Sequence, residues 1–165
     1  MLENQVKLAY LGLGSNLGSK INNIERAKFE LIKNNIKILQ SSSFYESLSW
    51  PNSKNPKFLN IVIKINTNLK PLKLLELCKR IEKFLGRKND VRNSPRTCDI
   101  DILDYNNLKM NKNVILPHPR MHLRNFVLLP LFEVNKDWNH PILKKHIKTL
   151  LLSLSKNDIR SIKQI

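Results

Sequence analysis

The sequence is poor in cysteine and has no long apolar segment. Its 165 residues include two cysteines, Cys78 and Cys98, whose spacing fits neither a C-x-x-C motif nor a disulfide framework, so we expect buried free thiols. No apolar run approaches the ~18 residues of a membrane span, and residues 1–5 lack the basic start and apolar stretch of a secretory leader. These absences predict a reduced, soluble, cytoplasmic protein without a membrane span.

Acidic residues are also scarce, with 13 Asp and Glu against 29 Lys and Arg and a net charge of +16. This imbalance makes polyanions the first candidate partners, whether nucleic acid, an acidic membrane surface or a small phosphate-rich ligand. Lysine supplies 21 of the basic residues and asparagine is equally frequent, a bias typical of A/T-rich coding sequence, so much of the charge is compositional background. The eight arginines are more informative, because five of them fall close together: Arg87, Arg92, Arg96, Arg120 and Arg124.

Hydrophobic patterning predicts a β-α-β-β-α-β order. Strands are predicted over residues 6–13, 36–45, 58–65 and 96–105, helices over 22–34 and 71–85, and a loop over 48–56. Asn22 and Glu25 form a capping-box-like start for the first helix, whose predicted apolar face is Ile21, Ile24, Phe29, Leu31 and Ile32. The order is that of ferredoxin-like folds, so the expected class is α+β, a ferredoxin-like sandwich with helices packed on a largely antiparallel sheet.

The remaining sequence predicts additions to the same domain. Residues 114–116 are a short strand candidate, and residues 120–133 are partly helical with Pro130 interrupting the helix. Residues 142–154 are amphipathic and predict a terminal helix. Without repeats or low-complexity tails, the expected organisation is a single domain over residues 1–165.

The sharpest local feature is the pair Asp99 and Asp101 inside an otherwise apolar strand. Strand alternation places both carboxylates on one face, about 6–7 Å apart along the chain. Like charges this close repel unless they share a cation, and hard oxygen donors on one rigid strand suit Mg²⁺ that is otherwise held by water and substrate phosphates. The alternative is the solvent-facing side of a half-exposed strand, and the D-x-D pattern alone does not decide between them.

Basic residues flank the acidic pair in the sequence. Arg96 begins the same predicted strand, and Arg87 and Arg92 lie on the polar stretch before it. A divalent metal with guanidinium groups is typical of a phosphate site, because arginines bind the phosphate oxygens that the metal leaves free. A solvated basic loop is the alternative interpretation.

A second cluster, at residues 116–126, contains His118, Arg120 and Arg124. Flanking prolines restrict the backbone around His118, so these residues can add phosphate donors. A histidine beside prolines is, however, more often a structural hydrogen-bonding group. Residues 12–18 lack the lysine and spacing of a P-loop, so any nucleotide is expected to bind without one.

Five blocks in order resemble one family: Gly14-Ser15-Asn16-Leu17-Gly18, Ser43-Phe44-Tyr45-Glu46, Phe58-Leu59-Asn60, Pro95-Arg96-Thr97-Cys98-Asp99-Ile100-Asp101 and His118-Pro119-Arg120-Met121-His122. In this order and spacing, over about residues 7–134, the sequence resembles 6-hydroxymethyl-7,8-dihydropterin pyrophosphokinase of folate biosynthesis. The resemblance implies a ferredoxin-like fold and transfer of the β,γ-pyrophosphoryl group of ATP to the pterin hydroxymethyl oxygen, giving AMP and the pterin diphosphate.

The resemblance also implies roles for individual residues. Asp99 and Asp101 would hold two Mg²⁺ ions and, with Arg87 and Arg96, are the expected catalytic residues. The expected ATP contacts are Glu82, Arg87, Arg92, Arg96, Ile102, His118 and Arg124. The expected pterin contacts are Gly14, Ser47, Leu48, Trp50, Phe58, Asn60, Asp99 and Phe126. ATP and the pterin are then the expected partners of a monomer that binds neither nucleic acid nor a membrane.

Three positions depart from the family pattern. Asn93 and Ser94 stand where relatives carry Trp and a smaller residue, and Leu123 replaces a polar residue, but no expected metal ligand is lost.

Two alternative functions remain: a catalytically inactive relative that acts as a partner protein, and an RNA-binding module, since ferredoxin-like sheets also serve that role. The second predicts exposed aromatics on the central strands in an RNP-like pattern, which the sequence lacks.

Overall fold

The computed structural model describes residues 5–88 and 91–165; residues 89–90, within the predicted polar stretch before Pro95, lie outside it. The strands are β1 (Lys7–Ser15), β2 (Lys37–Ser41), β3 (Tyr45–Ser47), β4 (Phe58–Thr67), β5 (Asp99–Tyr105), β6 (Met110–Lys112), β7 (Val114–Leu116) and β8 (Lys163–Gln164). The helices are α1 (Lys20–Lys33), α2 (Pro71–Phe84), α3 (Asn125–Val134), α4 (Ile147–Leu152) and α5 (Lys156–Arg160), with a 3-10 turn at Met121–Leu123. Within the described ranges, no helix has the length and apolar character of a membrane span.

The main sheet is antiparallel and confirms the predicted α+β class. Its strand order is β5-β1-β4-β3-β8, and β2 also pairs with β4. β2 and β3 follow each other along one edge of β4, while β1 pairs with the other edge and β5 lies beyond β1. This is the split β-α-β arrangement with one addition, β8, which the sequence pattern did not predict.

The single strand predicted over residues 36–45 is wrong, because the chain forms two strands there. Ser42 stays bonded to β4: its N–H donates to Val62 O at 2.9 Å and its hydroxyl accepts the Val62 N–H at 3.0 Å. Ser43 instead donates its N–H and hydroxyl to the Glu133 carboxylate, at 2.9 and 2.7 Å. A carboxylate from α3 therefore takes the backbone donor of Ser43, and β2 and β3 are separated at this point.

Helices α1 and α2 cover one face of the sheet. α2 confirms the second predicted helix, with Pro71 in its first turn and Gly86, at φ +94°, just after its end. Cys78 on α2 and Cys98 before β5 are buried free thiols, as predicted. Burial raises the pKa of the Cys78 thiol to about 12 and raises that of Cys98 as well.

The predicted start and face of α1 need correction. The helix begins at Lys20 rather than at Asn22, and Asn23 lies on its buried face. Asn23 tolerates burial because its amide donates to Leu17 O at 2.8 Å and to Ser15 Oγ at 3.2 Å. Ile24 and Leu31 are buried as predicted, whereas three members of the predicted apolar face are exposed: Ile21, Phe29 and Ile32.

Helices α3 and α4 pack on the opposite face around a second core that includes Tyr10, Val62 and Leu103. Pro130 lies inside α3 and does not interrupt it, contrary to the prediction. The helix predicted over residues 142–154 is also wrong at its start: α4 begins at Ile147, because a turn and an isolated β-bridge occupy the preceding residues. The part of this sheet face that α3 and α4 leave uncovered is where the cleft described below lies.

Candidate active site

Two glycines on the central strand β1 form the base of a cleft. Gly12 is paired with Asp101 on β5 and with Val62 on β4. Two residues along the chain, Gly14 is paired with Asp99 on β5 and with Asn60 on β4. Because side chains alternate along a strand, Asp99, Asp101 and Asn60 project on the face of β1 where the two glycines have no side chain.

A glycine is required at position 14 because the Asn60 side chain lies too close to leave room for a Cβ. A Cβ built on Gly14 would lie 2.9 Å from Asn60 Oδ1 and 3.4 Å from Phe58. At Gly12 a Cβ would meet only Leu103, at an ordinary 3.5 Å. The Asn60 amide is held against Gly14 by a hydrogen bond from its Nδ2 to Ser47 Oγ at 2.9 Å.

The cleft has a volume of about 710 Å³, enough for a small ligand pair. Its lining combines charged groups with aromatic and amide groups. Members of the predicted site that line it are Gly14, Ser47, Leu48, Trp50, Phe58, Asn60, Arg87, Arg96, Asp99, Asp101, His118, Arg124 and Phe126. Residues from four strands, three loops and the start of α3 thus meet in one cleft.

The two carboxylates of β5 have different surroundings. Asp99 is largely buried and forms ion pairs with Arg87 and Arg96, one on each carboxylate oxygen. Burial nevertheless raises the pKa of Asp99. The Asp101 side chain is 44% exposed, and its nearest cation is Arg124, at 4.0 Å. Asp101 therefore offers its oxygens to the cleft, while Asp99 organises arginines beside it.

Glu82 supports this arrangement from below. Its side chain is buried, accepts the Ile100 N–H at 2.7 Å and forms an ion pair with Arg87 at 2.8 Å. Burial raises the pKa of Glu82, although the Ile100 N–H, Lys79 and Arg87 act in the opposite direction. Glu82 thus anchors Arg87 from beneath the cleft while Asp99 holds the same guanidinium from the side.

The donor set fits Mg²⁺ only if a substrate completes its coordination. In the described part of the chain, no group of three or more His, Cys, Asp or Glu side chains could hold a metal. Asp99 and Asp101 supply hard oxygen donors on one strand face, and Mg²⁺ commonly binds one or two carboxylates together with water and substrate phosphates. The residues present therefore fit a magnesium–nucleotide complex rather than a resident metal cage.

His118 lines the cleft beside β5, and its ring is held in place. The backbone N–H of His118 donates to Leu103 O at 2.8 Å, and the ring Nδ1 accepts the backbone N–H of Arg120 at 3.2 Å. An accepting Nδ1 assigns the proton of the neutral ring to Nε2. Burial lowers the pKa of His118, although Asp101 acts in the opposite direction. Neutral His118 thus presents one N–H donor.

Three arginines lie over aromatic rings around the cleft. Arg96 lies 5.4 Å from the ring centre of Phe58, Arg124 lies 5.4 Å from that of Phe126, and Arg120 lies 5.9 Å from that of Trp50. Such distances are within the cation–π range. The charged and aromatic parts of the cleft are therefore in contact, and neither Phe58 nor Phe126 is a buried core residue.

Asn16 is a site residue that the sequence interpretation missed. Its side-chain Oδ1 accepts the Arg96 N–H at 2.8 Å, and its own N–H donates to Arg96 O at 3.2 Å. The Nδ2 group donates to Pro56 O at 3.2 Å and Ser49 Oγ at 3.3 Å. One buried side chain therefore joins the end of β1 to the loop before β5 and to the 48–57 loop. The Gly-Ser-Asn sequence after an apolar strand was its available signal.

These bonds also explain a shorter strand than predicted. The prediction began β5 at residue 96, but the strand starts at Asp99. The Arg96 backbone is occupied by Asn16 rather than by a neighbouring strand. Asn93, one of the departures from the family pattern, has φ +66° and accepts a long 3.5 Å hydrogen bond from the Asn55 amide.

Three predicted nucleotide contacts lie outside the main cleft. Ile102 is buried in the core between the sheet and helices α1 and α2, on the strand face opposite Asp101. Arg92 lines an adjoining cavity of about 280 Å³ that also includes Arg87 and Arg96. Glu82 lies below the cleft, in contact with Arg87. The structure therefore brings most, but not all, of the predicted site into one space.

Fold and cleft together define a class, an open antiparallel α+β sheet whose cleft carries an acidic pair and several arginines. A family model described as 7,8-dihydro-6-hydroxymethylpterin-pyrophosphokinase (HPPK) matches residues 10–136. The chain belongs to this family.

Named relatives agree with this membership. The 2-amino-4-hydroxy-6-hydroxymethyldihydropteridine pyrophosphokinase of Aquifex aeolicus is 39% identical over 140 residues, which are 84% of this chain and 87% of the relative. The enzyme of the same name from Bacillus subtilis is 40% identical over 77% of both chains. The match to the folic acid synthesis protein FOL1 of Dictyostelium discoideum, 40% identical, covers 90% of this chain and 22% of that larger protein.

Solved structures support the fold. Wild-type Plasmodium falciparum HPPK-DHPS matches 99% of this chain with a TM-score of 0.76 and 18% identity. This chain spans 45% of that one, so the similarity concerns one part of a larger protein.

Proposed function

We propose that this protein transfers the pyrophosphoryl group of ATP to 6-hydroxymethyl-7,8-dihydropterin in folate biosynthesis. The hydroxymethyl oxygen forms a bond to the β-phosphorus and its proton is released to solvent, the bond from that phosphorus to the α,β-bridging oxygen breaks, and AMP leaves as the pterin diphosphate forms. The observation that carries the proposal is the cleft itself, in which Asp99 and Asp101 lie beside the arginines Arg87 and Arg96 and share one lining with Asn60 and Phe126.

The arginine-rich part of the lining is assigned to the triphosphate. Arg87 and Arg96 are already held near one another by Asp99, so they can bind phosphate oxygens without a large loss of side-chain freedom. The Nε2–H of His118 and the guanidinium of Arg124 supply further donors in the cleft. The proposed ATP contacts are Arg87, Arg92, Arg96, His118 and Arg124. Glu82 is proposed to act through Arg87, whereas Ile102, predicted as a contact, is buried on the opposite strand face and is not among them.

The aromatic and amide part of the lining is assigned to the pterin. A flat heteroaromatic with an amide-like edge requires apolar faces and a group that donates and accepts, which Phe58, Phe126 and the Asn60 amide supply. The close contact between Gly14 and Asn60 lets the heterocycle lie directly on the strand. The proposed pterin contacts are Gly14, Ser47, Leu48, Trp50, Phe58, Asn60, Asp99 and Phe126.

Asp99 and Asp101 are proposed to bind two Mg²⁺ ions delivered with ATP. The ions would neutralise phosphate charge and ease deprotonation of the pterin hydroxyl. The residues of the chain then act by positioning: arginines hold the phosphates, and the aromatic wall and Asn60 hold the hydroxymethyl group in line. A single domain, a monomeric state and a cytoplasmic location remain predictions.

Replacement of Asp101 by Asn tests the proposal. We expect purified protein with ATP, Mg²⁺ and the hydroxymethyl pterin to form AMP, and Asp101→Asn to lower kcat by roughly 100-fold or more, because metal stabilisation of transferred phosphate is worth several kcal/mol. Asp137→Asn, at an exposed position in the second half of the chain, is the control. No pterin-dependent AMP from the wild-type protein would refute the activity, and an unchanged rate in Asp101→Asn would refute the metal assignment.

A further inference from the structure

Residues 155–165, called here the 155–165 segment, lie beyond the region that the family model matches, yet they reach the cleft. The segment starts with a capping box: Ser155 Oγ accepts the Asp158 N–H at 3.0 Å, and the Asp158 carboxylate accepts the Ser155 N–H at 3.3 Å. This local structure fixes the turn of α5. Asp158 and Ser161 are part of the cleft lining.

The segment is bonded to the helix that carries the aromatic wall. The Asn125 amide Nδ2 donates to Asp158 O at 2.6 Å and to Ser161 Oγ at 3.2 Å. The same amide accepts the Phe126 N–H through its Oδ1 at 2.7 Å. One side chain thus connects the 155–165 segment to the backbone of Phe126.

The other end of the segment is bonded to the opposite wall. β8 pairs with β3, with Lys163 opposite Glu46 and Gln164 opposite Tyr45, and the Ile165 N–H donates to Phe44 O at 2.9 Å. β3 ends at Ser47, whose hydroxyl oxygen accepts a hydrogen bond from the Asn60 Nδ2 group. The segment therefore bridges the start of α3 and the outer strand of the pterin side.

Core packing does not account for this bridge. α5 has no buried residue, and both residues of β8 are exposed. The segment contributes hydrogen bonds to two walls of a cleft and very little buried apolar area, so its expected contribution through the hydrophobic effect is small.

We infer that the 155–165 segment is a positioning element that sets the separation of the two pterin walls, Phe126 on one side and Ser47 with Asn60 on the other. The inference rests on the proposed function, because it assumes that the heterocycle lies between those walls. It assigns to the segment a role mainly in affinity for the flat heterocycle because, of the proposed triphosphate ligands, Arg124 alone lies next to one of its attachments, directly before Asn125.

Two proline substitutions in β8 give a matched test. The Ile165 N–H points to β3, and the alternation of an antiparallel ladder points the Lys163 N–H the same way and the Gln164 N–H outward. Lys163→Pro therefore removes a bond to β3, whereas Gln164→Pro removes none. Ser161→Ala weakens the other attachment without a backbone change.

We expect Lys163→Pro to raise the KM for the pterin about fivefold to tenfold, corresponding to the loss of about one hydrogen bond, with the KM for ATP within twofold of wild type. Ser161→Ala should shift the pterin KM in the same direction and test the link even if Lys163→Pro does not fold. Gln164→Pro should match the wild type. The inference would be overturned if the pterin KM were the same in all three variants, or if Lys163→Pro changed the KM for pterin and the KM for ATP by the same factor.

Direct binding separates this inference from the proposed function. Fluorescence titration with oxidised 6-hydroxymethylpterin measures the heterocycle site without turnover. Weaker pterin binding in Lys163→Pro, beside a wild type that binds but forms no AMP, would support the segment's role and refute the activity. Unchanged binding in the variants, beside an active wild type, would refute the segment's role alone.

Discussion

Asn16 and Arg96 are joined by two hydrogen bonds across 80 residues of sequence, Asn16 N–H to Arg96 O at 3.2 Å and Arg96 N–H to Asn16 Oδ1 at 2.8 Å. The pair fixes the backbone of an arginine whose side chain holds Asp99. The amide nitrogen of Asn16 meanwhile binds the 48–57 loop through Pro56 and Ser49. Asn16 is thus the point where the triphosphate side and the pterin side are tied together.

Substitution of Asn16 can separate these two roles. Asn16→Asp keeps the acceptor for the Arg96 N–H but loses the donor to Pro56 O, so we expect a pterin KM about tenfold higher with a nearly unchanged ATP KM. Asn16→Ala loses both roles and should raise both KM values. Steady-state kinetics measures the difference, and identical kinetics in the two variants would contradict the assignment.

Gly14→Ala should impair the pterin site. The new Cβ would lie 2.9 Å from Asn60 Oδ1, so either the amide or the strand must move, at a cost of about 1–3 kcal/mol. The expected result is a higher pterin KM, measured by pterin-dependent AMP formation. Gly12→Ala on the same strand is the comparison, because its Cβ would meet Leu103 at an ordinary 3.5 Å. An equal effect of the two substitutions would argue against a special role for Gly14.

Glu82→Gln should destabilise the protein and weaken phosphate binding. The substitution removes the buried charge that pairs with Arg87 and places an amide where a carboxylate accepts the Ile100 N–H, which we expect to cost about 2 kcal/mol. Glu76→Gln, on the same helix with an exposed Lys73 pair, should change stability by less than about 0.5 kcal/mol. Urea unfolding with circular dichroism compares them, and equal midpoints would refute the role of Glu82.

His140 should make stability depend on pH. Its buried ring accepts the N–H groups of Ile142 and Leu143 on Nδ1, at 3.2 and 3.1 Å, and burial lowers its pKa to about 4. The unfolded chain, with an ordinary histidine pKa near 6.5, then binds more protons between pH 6.5 and 4. The free energy of unfolding should therefore be highest above pH 7 and fall by about 1–2 kcal/mol towards pH 5.

The control for this pH dependence is His140→Asn, whose side-chain oxygen can still accept a backbone N–H but does not titrate. Thermal melts at pH 7 and pH 5 should show a smaller difference for this variant than for the wild type. A wild-type difference no larger than that of the variant would show that His140 is not the titrating group.

The predictable part of the fold was the part that apolar periodicity controls. β1, β4 and α2 follow the predicted pattern, because each buries a regular set of aliphatic side chains. The errors lie where a polar group found a distant partner. Asn23 occupies a position on the buried face of α1 where an apolar residue was expected. The Ser43 N–H donates to Glu133, which separates β2 from β3. Neither partner is visible from local sequence.

The candidate site shows the same division. Strand alternation alone places Asp99 and Asp101 on one face, so their proximity was predictable. The role of Asn16 was not predictable, because its hydrogen-bond partners Ser49 and Arg96 lie 33 and 80 residues away in the sequence. The proposed role of residues 155–165 could not be predicted either, because both residues of β8 are exposed and form no hydrophobic pattern.

The buried state of Cys78 and Cys98 has a practical consequence. Both thiols are inaccessible, and their raised pKa values leave almost no thiolate at neutral pH, so alkylating reagents should react very slowly with the native protein. A cysteine introduced on the surface, such as Lys156→Cys, would then be the one reactive position for a fluorophore. The natural sequence already provides the unlabelled background that spectroscopic studies of loop and segment movement usually have to engineer.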